Sequence, residues 1–290
     1  LYSNFIYPAI NLFENQTIEA IMNVARHSII NKHTRSRYFL PITVDKERIN
    51  FAIEQFCSLQ RTGFPSSAII YVSYDEETCY VLRKHGINCE YAHFSNKTIG
   101  LMNRHHLKLY LLFLQILWGF EAYMINSDII FFDHIEKAFY NSDVDIEISS
   151  DDNVEISQYN ATIKSHLNYG FGRFQPIQAS YEIITDALIF ALNNGAAHDQ
   201  HVLDSILYRW KKDCEFNDSI EYWKLDNLSC KFRIIDPLKV VNGGLAFCIG
   251  REKYWKQIDQ LGGNKMPLAI HFNWDIGNKS LTYKFLGLKM

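Results

Sequence analysis

The stretch GFEAYMINSDIIFFD, residues 119–133, contains the strand end from which the fold and the chemistry of this chain are inferred. It begins as an apolar strand, reaches a small polar tip at Asn126, Ser127 and Asp128, and continues as a second apolar run. A carboxylate at the end of a buried strand costs free energy unless a cation or hydrogen-bond donors meet it. Because ligands of α/β sheets gather at the carboxyl ends of strands, Asp128 is the first candidate for chemistry, and a divalent metal ion is its first candidate partner. The alternative is an aspartate that only caps the following turn.

Strands and helices alternate on the amino-terminal side of this stretch. The pattern predicts strands at 37–44, 68–72, 87–91 and 121–125, and helices at 45–60, 75–85 and 104–118. Such an alternation predicts an α/β fold with a mostly parallel, doubly wound sheet and helices on both faces. The last two helices are expected to end at Gly86 and Gly119. A further helix is predicted at 17–30, within an N-terminal helical extension, residues 1–36.

The second half of the chain is less regular and predicts a smaller, mixed part of the fold. Its expected strands are 143–148, 168–174, 232–236, 245–249 and 268–274, and its expected helices are 180–193 and 199–210. Gly170 in the second of these strands suggests a close approach of backbone and ligand. With no internal repeat or linker, residues 1–290 are expected to form one domain.

Composition restricts the possible partners. The chain has 290 residues, of which 48% are hydrophobic, and a formal net charge of -3, so it has no basic field for nucleic acid. The most apolar run, residues 107–120, is shorter than the ~18 residues of a membrane span and is expected to be a buried helix. Glycine-rich phosphate loops are missing from the sequence, which argues against a nucleotidyltransferase; a bound nucleotide would be held by metal and side chains.

Cysteines and glycosylation sequons bear on the cellular compartment. Cys79 with Cys89, or Cys214 with Cys230, could form disulfides in an oxidising lumen, but buried free thiols fit as well. Six N-x-S/T sequons occur, at Asn15, Asn96, Asn160, Asn217, Asn227 and Asn278. They favour the secretory pathway and the Golgi lumen, a cytosolic setting stays open, and the sequence leaves room for a membrane tether outside the present chain.

Several polar residues share a position at the end of an apolar segment. They are Asp128, Asp151, Asp152, Asn168, Asp199, Gln200 and His271. Each alone could be a cap or a satisfied core group, but together they suggest a site at strand ends where a hard cation takes oxygen ligands and one imidazole, a set that Mn²⁺ tolerates. A second candidate, Asp143-Val144-Asp145, has both carboxylates on one strand face, and its alternative is a solvated surface.

The order of these segments resembles the nucleotide-diphospho-sugar transferases of the GT-A type, most closely glycosyltransferase family 77 and next family 8. The resemblance covers residues 39–288. The matching pieces are Arg104 and Lys108 on the helix before the motif, NSDIIFF (126–132), SSDDN (149–153), NYGFGRF (168–174), HDQHVLD (198–204) and HFNWDIGNK (271–279). One departure is clear, since Asn126 stands where the family has the first aspartate of its D-x-D motif.

The resemblance implies a GT-A (Rossmann-like) fold and a role for each matching residue. It also implies that residues 37–128 are a nucleotide-binding half and residues 129–290 a donor-sugar and acceptor half. Asp128, His271 and Asn126 would hold Mn²⁺ (or Mg²⁺). The nucleotide and its phosphates would lie on Thr43, Val44, Asn126, Ser127, Asp128, Gly277 and Lys279, with Lys284 as the alternate lysine. The donor sugar would be held by Asp151, Asp152, Asn168, Gly170, Lys108 and Arg104. Asp199 and Gln200 would lie at the reacting carbon as the catalytic residues, although no dedicated nucleophile is evident.

The expected function is that of a metal-dependent, retaining glycosyltransferase. Its expected donor is a UDP-sugar carrying galactose, xylose or glucose, and its acceptor is a hydroxyl of a glycan or glycoprotein. The alternative, motivated by Asn126, is a catalytically silent domain that binds a sugar nucleotide or a glycan.

Overall fold

A computed structural model describes residues 13–94, 104–139, 143–150, 167–194, 199–210, 215–217, 220–225, 227–236, 239–242 and 267–272. Within them the helices are α1 (Asn15–Ala25), α2 (Ile49–Arg61), α3 (Glu76–Lys84), α4 (Arg104–Leu117), α5 (Gln178–Asn193) and α6 (Asp199–Trp210). The strands are β1 (Ile29–Ile30), β2 (Arg37–Tyr38), β3 (Leu40–Val44), β4 (Ile69–Ser73), β5 (Cys89–Tyr91), β6 (Ala122–Ile125), β7 (Ile129–Phe131), β8 (Ile146–Ser150), β9 (Leu167–Phe174), β10 (Glu215–Asn217), β11 (Ile220–Leu225), β12 (Leu228–Ile234), β13 (Val240–Asn242) and β14 (Ala269–His271). Short 3₁₀ turns lie at Lys46–Arg48, Ser66–Ala68 and Ile135–Ala138.

The first half of the chain forms the parallel part of the sheet. Strands β3, β4 and β5 are neighbours and run parallel, joined by the crossover helices α2 and α3. A parallel bridge between Thr43 and Asn126 continues this order from β3 to the end of β6. The carboxyl ends of β3 and β6 therefore lie side by side. The predicted α/β class is confirmed, and this half contains three neighbouring parallel strands in succession.

Glycines end the two helices that flank this part of the sheet. Gly86 follows α3 with φ 72°, and Gly119 follows α4 with φ 76°, a backbone region that side chains with a Cβ avoid. At the other end of α3, the Asp75 carboxylate accepts a hydrogen bond from the Glu77 backbone N–H (3.0 Å). Helix α4 is buried nearly all round, from Leu107 to Ile116, as its apolar sequence indicates.

The second half is a mixed sheet. Six strands lie in the order β10-β11-β12-β8-β9-β6, in which only the β8–β12 pair is parallel. A separate sheet has the order β13-β14-β7, with β14 antiparallel to β7. The strand expected at 143–148 begins only at Ile146, because the Asp145 carboxylate accepts the Lys231 backbone N–H (2.7 Å) just before the ladder starts. The sequence pattern did not predict strands β10, β11 and β13. The strand expected at 245–249 lies outside the described residues.

The amino-terminal helix differs in length from the expectation, and one of the two possible disulfides is present. Helix α1 ends at Ala25 rather than residue 30, because β1 pairs with β2 through a turn that contains Arg35 at φ 63°. Cys79 on α3 and Cys89 on β5 form a disulfide with a Cα–Cα distance of 5.1 Å. Cys214 lies outside the described residues.

Buried apolar side chains from both halves form a continuous cluster, which extends from Phe13 to Ala269. Within the described part of the chain, no helix combines the length and apolar character that crossing a membrane requires. The boundaries of the single domain and its two functional halves stay predictions.

Candidate functional site

Asp128 and His271 lie in contact at the edge where β7 meets β14. The antiparallel register sets His271 opposite Ile129, and the Phe272 backbone N–H donates to the Asp128 carbonyl oxygen (2.9 Å). These two features bring Asp128 Oδ1 to 3.2 Å from His271 Nε2. Both side chains are nearly inaccessible, at 1% and 3% exposed. The sequence places them 143 residues apart, and the small sheet brings them together.

Gly170 makes room for the imidazole. A Cβ atom at this position would lie 1.9 Å from His271 Cε1, so no other residue fits while the ring stays in place. The Gly170 carbonyl oxygen accepts the Asn126 backbone N–H (2.7 Å), which ties β9 to the strand tip. The space over Gly170 is therefore taken by the His271 ring, whereas the sequence suggested a ligand there.

Asn126 lies between Lys108 and His271 and contacts both side chains. Its Oδ1 accepts a hydrogen bond from Lys108 Nζ (3.1 Å), and its Nδ2 lies 3.2 Å from His271 Nε2. The amide oxygen thus faces the lysine, and the amide NH₂ faces the imidazole. A role for the Asn126 oxygen as a metal ligand, which stays a prediction, would require the amide to turn over.

Lys108 on α4 is held by three acceptors. Its Nζ donates to Asn126 Oδ1 and to the Tyr169 carbonyl oxygen (2.8 Å), and it forms an ion pair with Asp199 Oδ2. An ammonium has three donors, so this set accounts for all of them. The Lys108 and Asp199 side chains are only 11% and 5% exposed. Lys108 is therefore a buried lysine and not a charge on the helix surface.

Burial raises the pKa of the Tyr169 hydroxyl well above its usual value, and the Asp204 carboxylate raises it further. The phenol therefore stays protonated and donates to Asp204 Oδ1 (2.8 Å). This bond fixes β9 against α6, the helix that begins with Asp199 and Gln200.

Two residues that sequence reasoning missed contact this cluster. Arg48 Nη1, at the end of the 3₁₀ turn after β3, lies 3.5 Å from Asp128 Oδ2. Gln55 on α2 donates from Nε2 to the Asn126 carbonyl oxygen (2.6 Å). Gln55 is fully buried on the apolar face of α2. A polar residue among the apolar positions of this helix could have indicated a functional role in the sequence. Arg48 has no comparable signal in the sequence.

The other predicted residues lie at varied distances from this centre. Ser127 is buried within the strand tip, and Thr43 pairs with Asn126 in the parallel bridge, next to the buried Val44. The Asn168 side chain accepts the Gly170 backbone N–H (2.7 Å), so it shapes β9. Arg104 lies in α4, but the structure does not describe its side chain. The remaining predicted residues lie outside the described residues: Asp151, Asp152, Gly277, Lys279 and Lys284. The alternative motif at 143–145 does not contribute to this cluster, because Asp145 is hydrogen-bonded to Lys231 and so joins β8 to β12. Burial raises the pKa of the Asp145 carboxyl.

The donor set around Asp128 suits a divalent cation. Within the described residues, three or more His, Cys, Asp or Glu side chains do not converge as a complete metal site. Asp128 Oδ1 and His271 Nε2, 3.2 Å apart, match the ~3 Å that separates neighbouring ligands of an octahedral ion with bonds of ~2.1 Å. Mg²⁺-type sites often take one or two protein ligands and fill the remaining positions with substrate phosphate and water.

The protonation of His271 supports the same fit. An N–H at Nε2 would donate to Asp128 but oppose the Asn126 NH₂, and a lone pair there would accept from Asn126 but oppose the carboxylate. The other ring nitrogen, Nδ1, is buried and has no hydrogen-bond partner among the described residues. A cation bound by Asp128 and the Nε2 lone pair would remove the conflict with the carboxylate, provided that the Asn126 amide turns over.

The family model for nucleotide-diphospho-sugar transferases matches residues 67–281, which is more than half of the chain. No curated protein matches the sequence significantly.

Several solved structures match the chain at low identity. Galactosyltransferase LgtC, solved in complex with donor and acceptor sugar analogs, is 10% identical, with a TM-score of 0.44 and coverage of 87% of this chain and 96% of that chain. The glycosyltransferase GlyE of Streptococcus pneumoniae is 13% identical, with a TM-score of 0.47 and coverage of 82% and 55%. A glycosyltransferase involved in glycosylation of the major capsid of PBCV-1 is 10% identical, with a TM-score of 0.45 and coverage of 85% and 98%.

Proposed function

Because this chain belongs to the nucleotide-diphospho-sugar transferase family, we propose that it is a metal-dependent, retaining glycosyltransferase that uses a UDP-sugar. The transferred sugar would be galactose, xylose or glucose, and the acceptor a hydroxyl of a glycan or glycoprotein. The observation that carries the proposal is the contact between Asp128 and His271, a buried carboxylate and a buried imidazole 3.2 Å apart at the carboxyl end of the sheet.

Asp128 and His271 would hold Mn²⁺ or Mg²⁺, which when bound would neutralise the negative charge that develops on the departing diphosphate. The chain's own residues would then position the donor. Asp128 would bind the cation through a carboxylate that is already buried, and Gly170 leaves room for the imidazole beside it.

Lys108 and Asp199 would act on the sugar side of the site. Lys108 holds the first residue of α6 through its ion pair, and Gln200 follows Asp199 directly. Carboxylate and amide oxygens near the reacting carbon stabilise an oxocarbenium-like transition state. The retaining outcome follows from the family resemblance, and we assign no covalent nucleophile.

The test is hydrolysis of UDP-sugars, measured as released UDP with Mn²⁺ and with chelator. We expect turnover by the wild type that Mn²⁺ supports and the chelator abolishes. Asp128→Asn should lower the rate at least ~100-fold, because it removes a charge that binds the cation while keeping the shape of the side chain. Asp133→Asn is the matched control, since Asp133 lies five positions later, is half-exposed and forms an ion pair with Lys137 on the surface.

Normal turnover by Asp128→Asn would refute the assignment of the site. A protein that is stabilised by a UDP-sugar yet shows no turnover on any of the three sugars would instead be the binding domain that Asn126 suggests. In that case Asn126→Asp, which restores the first aspartate of the D-x-D motif, would be the first substitution to test for a gain of turnover.

A further inference from the structure

Arg48 lies at the solvent edge of the candidate site and reaches a buried carboxylate. Its Nη1 is 3.5 Å from Asp128 Oδ2, and its Nε is 3.9 Å from Asp45 Oδ2. The Arg48 side chain is 35% exposed, whereas that of Asp128 is 1% exposed. Both contacts are longer than a well-formed charged hydrogen bond, which measures about 2.7–2.9 Å. The guanidinium is therefore close enough to neutralise Asp128 but is not locked onto it.

The two oxygens of Asp128 have different partners. Oδ1 faces His271, and Oδ2 faces Arg48. A dication bound at Asp128 would share one carboxylate with a guanidinium, and like charges at such short range repel strongly in a partly buried site. The exposed, loosely held Arg48 is the group that can move.

We propose that Arg48 is an exchangeable counter-cation of Asp128. It neutralises the carboxylate in the absence of a divalent cation, gives it up when the cation binds, and then pairs with the diphosphate of the donor. The inference rests on the proposed function, because it needs a cation and a diphosphate at this site.

Charge and geometry support the pairing of Arg48 with the diphosphate of the donor. With Asp128 neutralising part of the dication, the cation and Arg48 together leave about two excess positive charges, which suit a diphosphate. Arg48 is the partly exposed member of its contact with Asp128, whereas the space over Gly170 is taken by the His271 ring, so a donor bound at this cation could reach the guanidinium from solvent. The planar guanidinium matches the oxygens of a phosphate in a bidentate contact.

Lys46 provides a matched control in the same 3₁₀ turn. It carries the same charge two positions earlier, but its Nζ pairs with Glu77 Oε2 on α3 (2.6 Å) and its side chain is 66% exposed. Loss of charge at this turn can thus be separated from loss of the contact with Asp128.

The experiment is isothermal titration calorimetry of the wild type, Arg48→Gln, Arg48→Lys and Lys46→Gln, first with MnCl₂ alone and then with UDP at saturating Mn²⁺. We expect Arg48→Gln to tighten Mn²⁺ binding about threefold to tenfold, since a competing cation is gone. The same variant should weaken UDP binding about tenfold or more, since a charged contact to phosphate is lost. Arg48→Lys should leave Mn²⁺ affinity near that of the wild type and give a UDP affinity between the two.

Opposite shifts of the two affinities are the signature, because a merely structural defect would weaken both. The inference is overturned if Arg48→Gln moves both affinities in the same direction, or moves neither further than Lys46→Gln does. If the wild type binds neither Mn²⁺ nor UDP, the proposed function itself fails and the inference falls with it. The wild-type titrations therefore distinguish the two failures.

Discussion

At the scale of single residues, Asn126 departs most clearly from the family pattern. Its amide bridges Lys108 and His271, with the oxygen toward the lysine and the NH₂ toward the imidazole. Asn126→Asp would keep the oxygen that faces Lys108 and replace the NH₂ by a second oxygen, which faces His271 beside Asp128. The substitution adds an acceptor where a dication is expected and a negative charge next to a buried carboxylate.

We therefore expect Asn126→Asp to act in opposite directions with and without metal. In chelator, the melting temperature should fall because like charges crowd a buried site. With Mn²⁺, the dissociation constant of the ion should drop about tenfold or more, since hard cations prefer charged oxygen ligands. Differential scanning fluorimetry over an Mn²⁺ series measures both effects. An unchanged Mn²⁺ titration would show that position 126 does not face the ion.

Contacts of single residues differ in how far the sequence predicts them. Asp128 and His271 stand at the ends of apolar segments, and strand ends in a sheet converge, so their proximity was predictable. Arg48 was not, because its contact depends on how a long side chain leaves a short turn whose position only the folded sheet defines. Gly170 was noticed for the right property, backbone accessibility, but its neighbour in the structure is a ring from the far end of the chain.

At the scale of elements, the Lys108 side chain joins α4 to β9 and α6. It donates to the Tyr169 carbonyl oxygen and pairs with Asp199 at the start of α6. Removing one member of a buried pair leaves the other charge uncompensated, which typically costs about 3–5 kcal/mol. Lys108→Met should therefore lower the free energy of unfolding by about 3 kcal/mol, measured by urea denaturation.

Lys137→Met is the control for this change. Lys137 pairs with Asp133 on the surface, where its side chain is 60% exposed, and such pairs contribute at most about 1 kcal/mol. The double-mutant cycle of Lys108→Met with Asp199→Asn adds a direct measure of coupling. Equal losses in Lys108→Met and Lys137→Met would contradict a buried pair that anchors α6.

Elements were predictable where one strong local signal dominates. Helix α4 is expected at 104–118 and observed at Arg104–Leu117, because its apolar run is long and Gly119 at φ 76° stops it. The strand at 143–148 was misplaced, since the alternating pattern of Asp143–Ile148 does not reveal that Asp145 uses its carboxylate to bind the Lys231 backbone N–H. Local periodicity cannot report a partner 86 residues away. The same limit left the cysteine pairing open until α3 and β5 were seen side by side.

At the scale of the whole molecule, the candidate site draws on elements from nearly the full described chain. Thr43 lies in β3 and Arg48 in the 3₁₀ turn that follows it, Asn126 lies directly after β6, and His271 lies in the last described strand. The buried apolar side chains of these parts belong to one cluster. A ligand that bridges Asp128 and His271 should therefore stabilise both halves of the chain at once, rather than a local loop.

Ligand-dependent unfolding tests this expectation. At a UDP concentration of about 100 times its dissociation constant, with Mn²⁺ present, binding should stabilise the protein by about 2.7 kcal/mol. For a chain of 290 residues that corresponds to a rise in melting temperature of roughly 4 °C, seen as one shifted transition. With chelator, or in Asp128→Asn, most of the rise should disappear, because the diphosphate loses the cation that links it to both halves. Two separate transitions, of which only one responds to UDP and Mn²⁺, would show that the halves unfold independently and that the site does not couple them. An equal rise with and without chelator would mean that nucleotide binding does not involve a cation at Asp128 and His271.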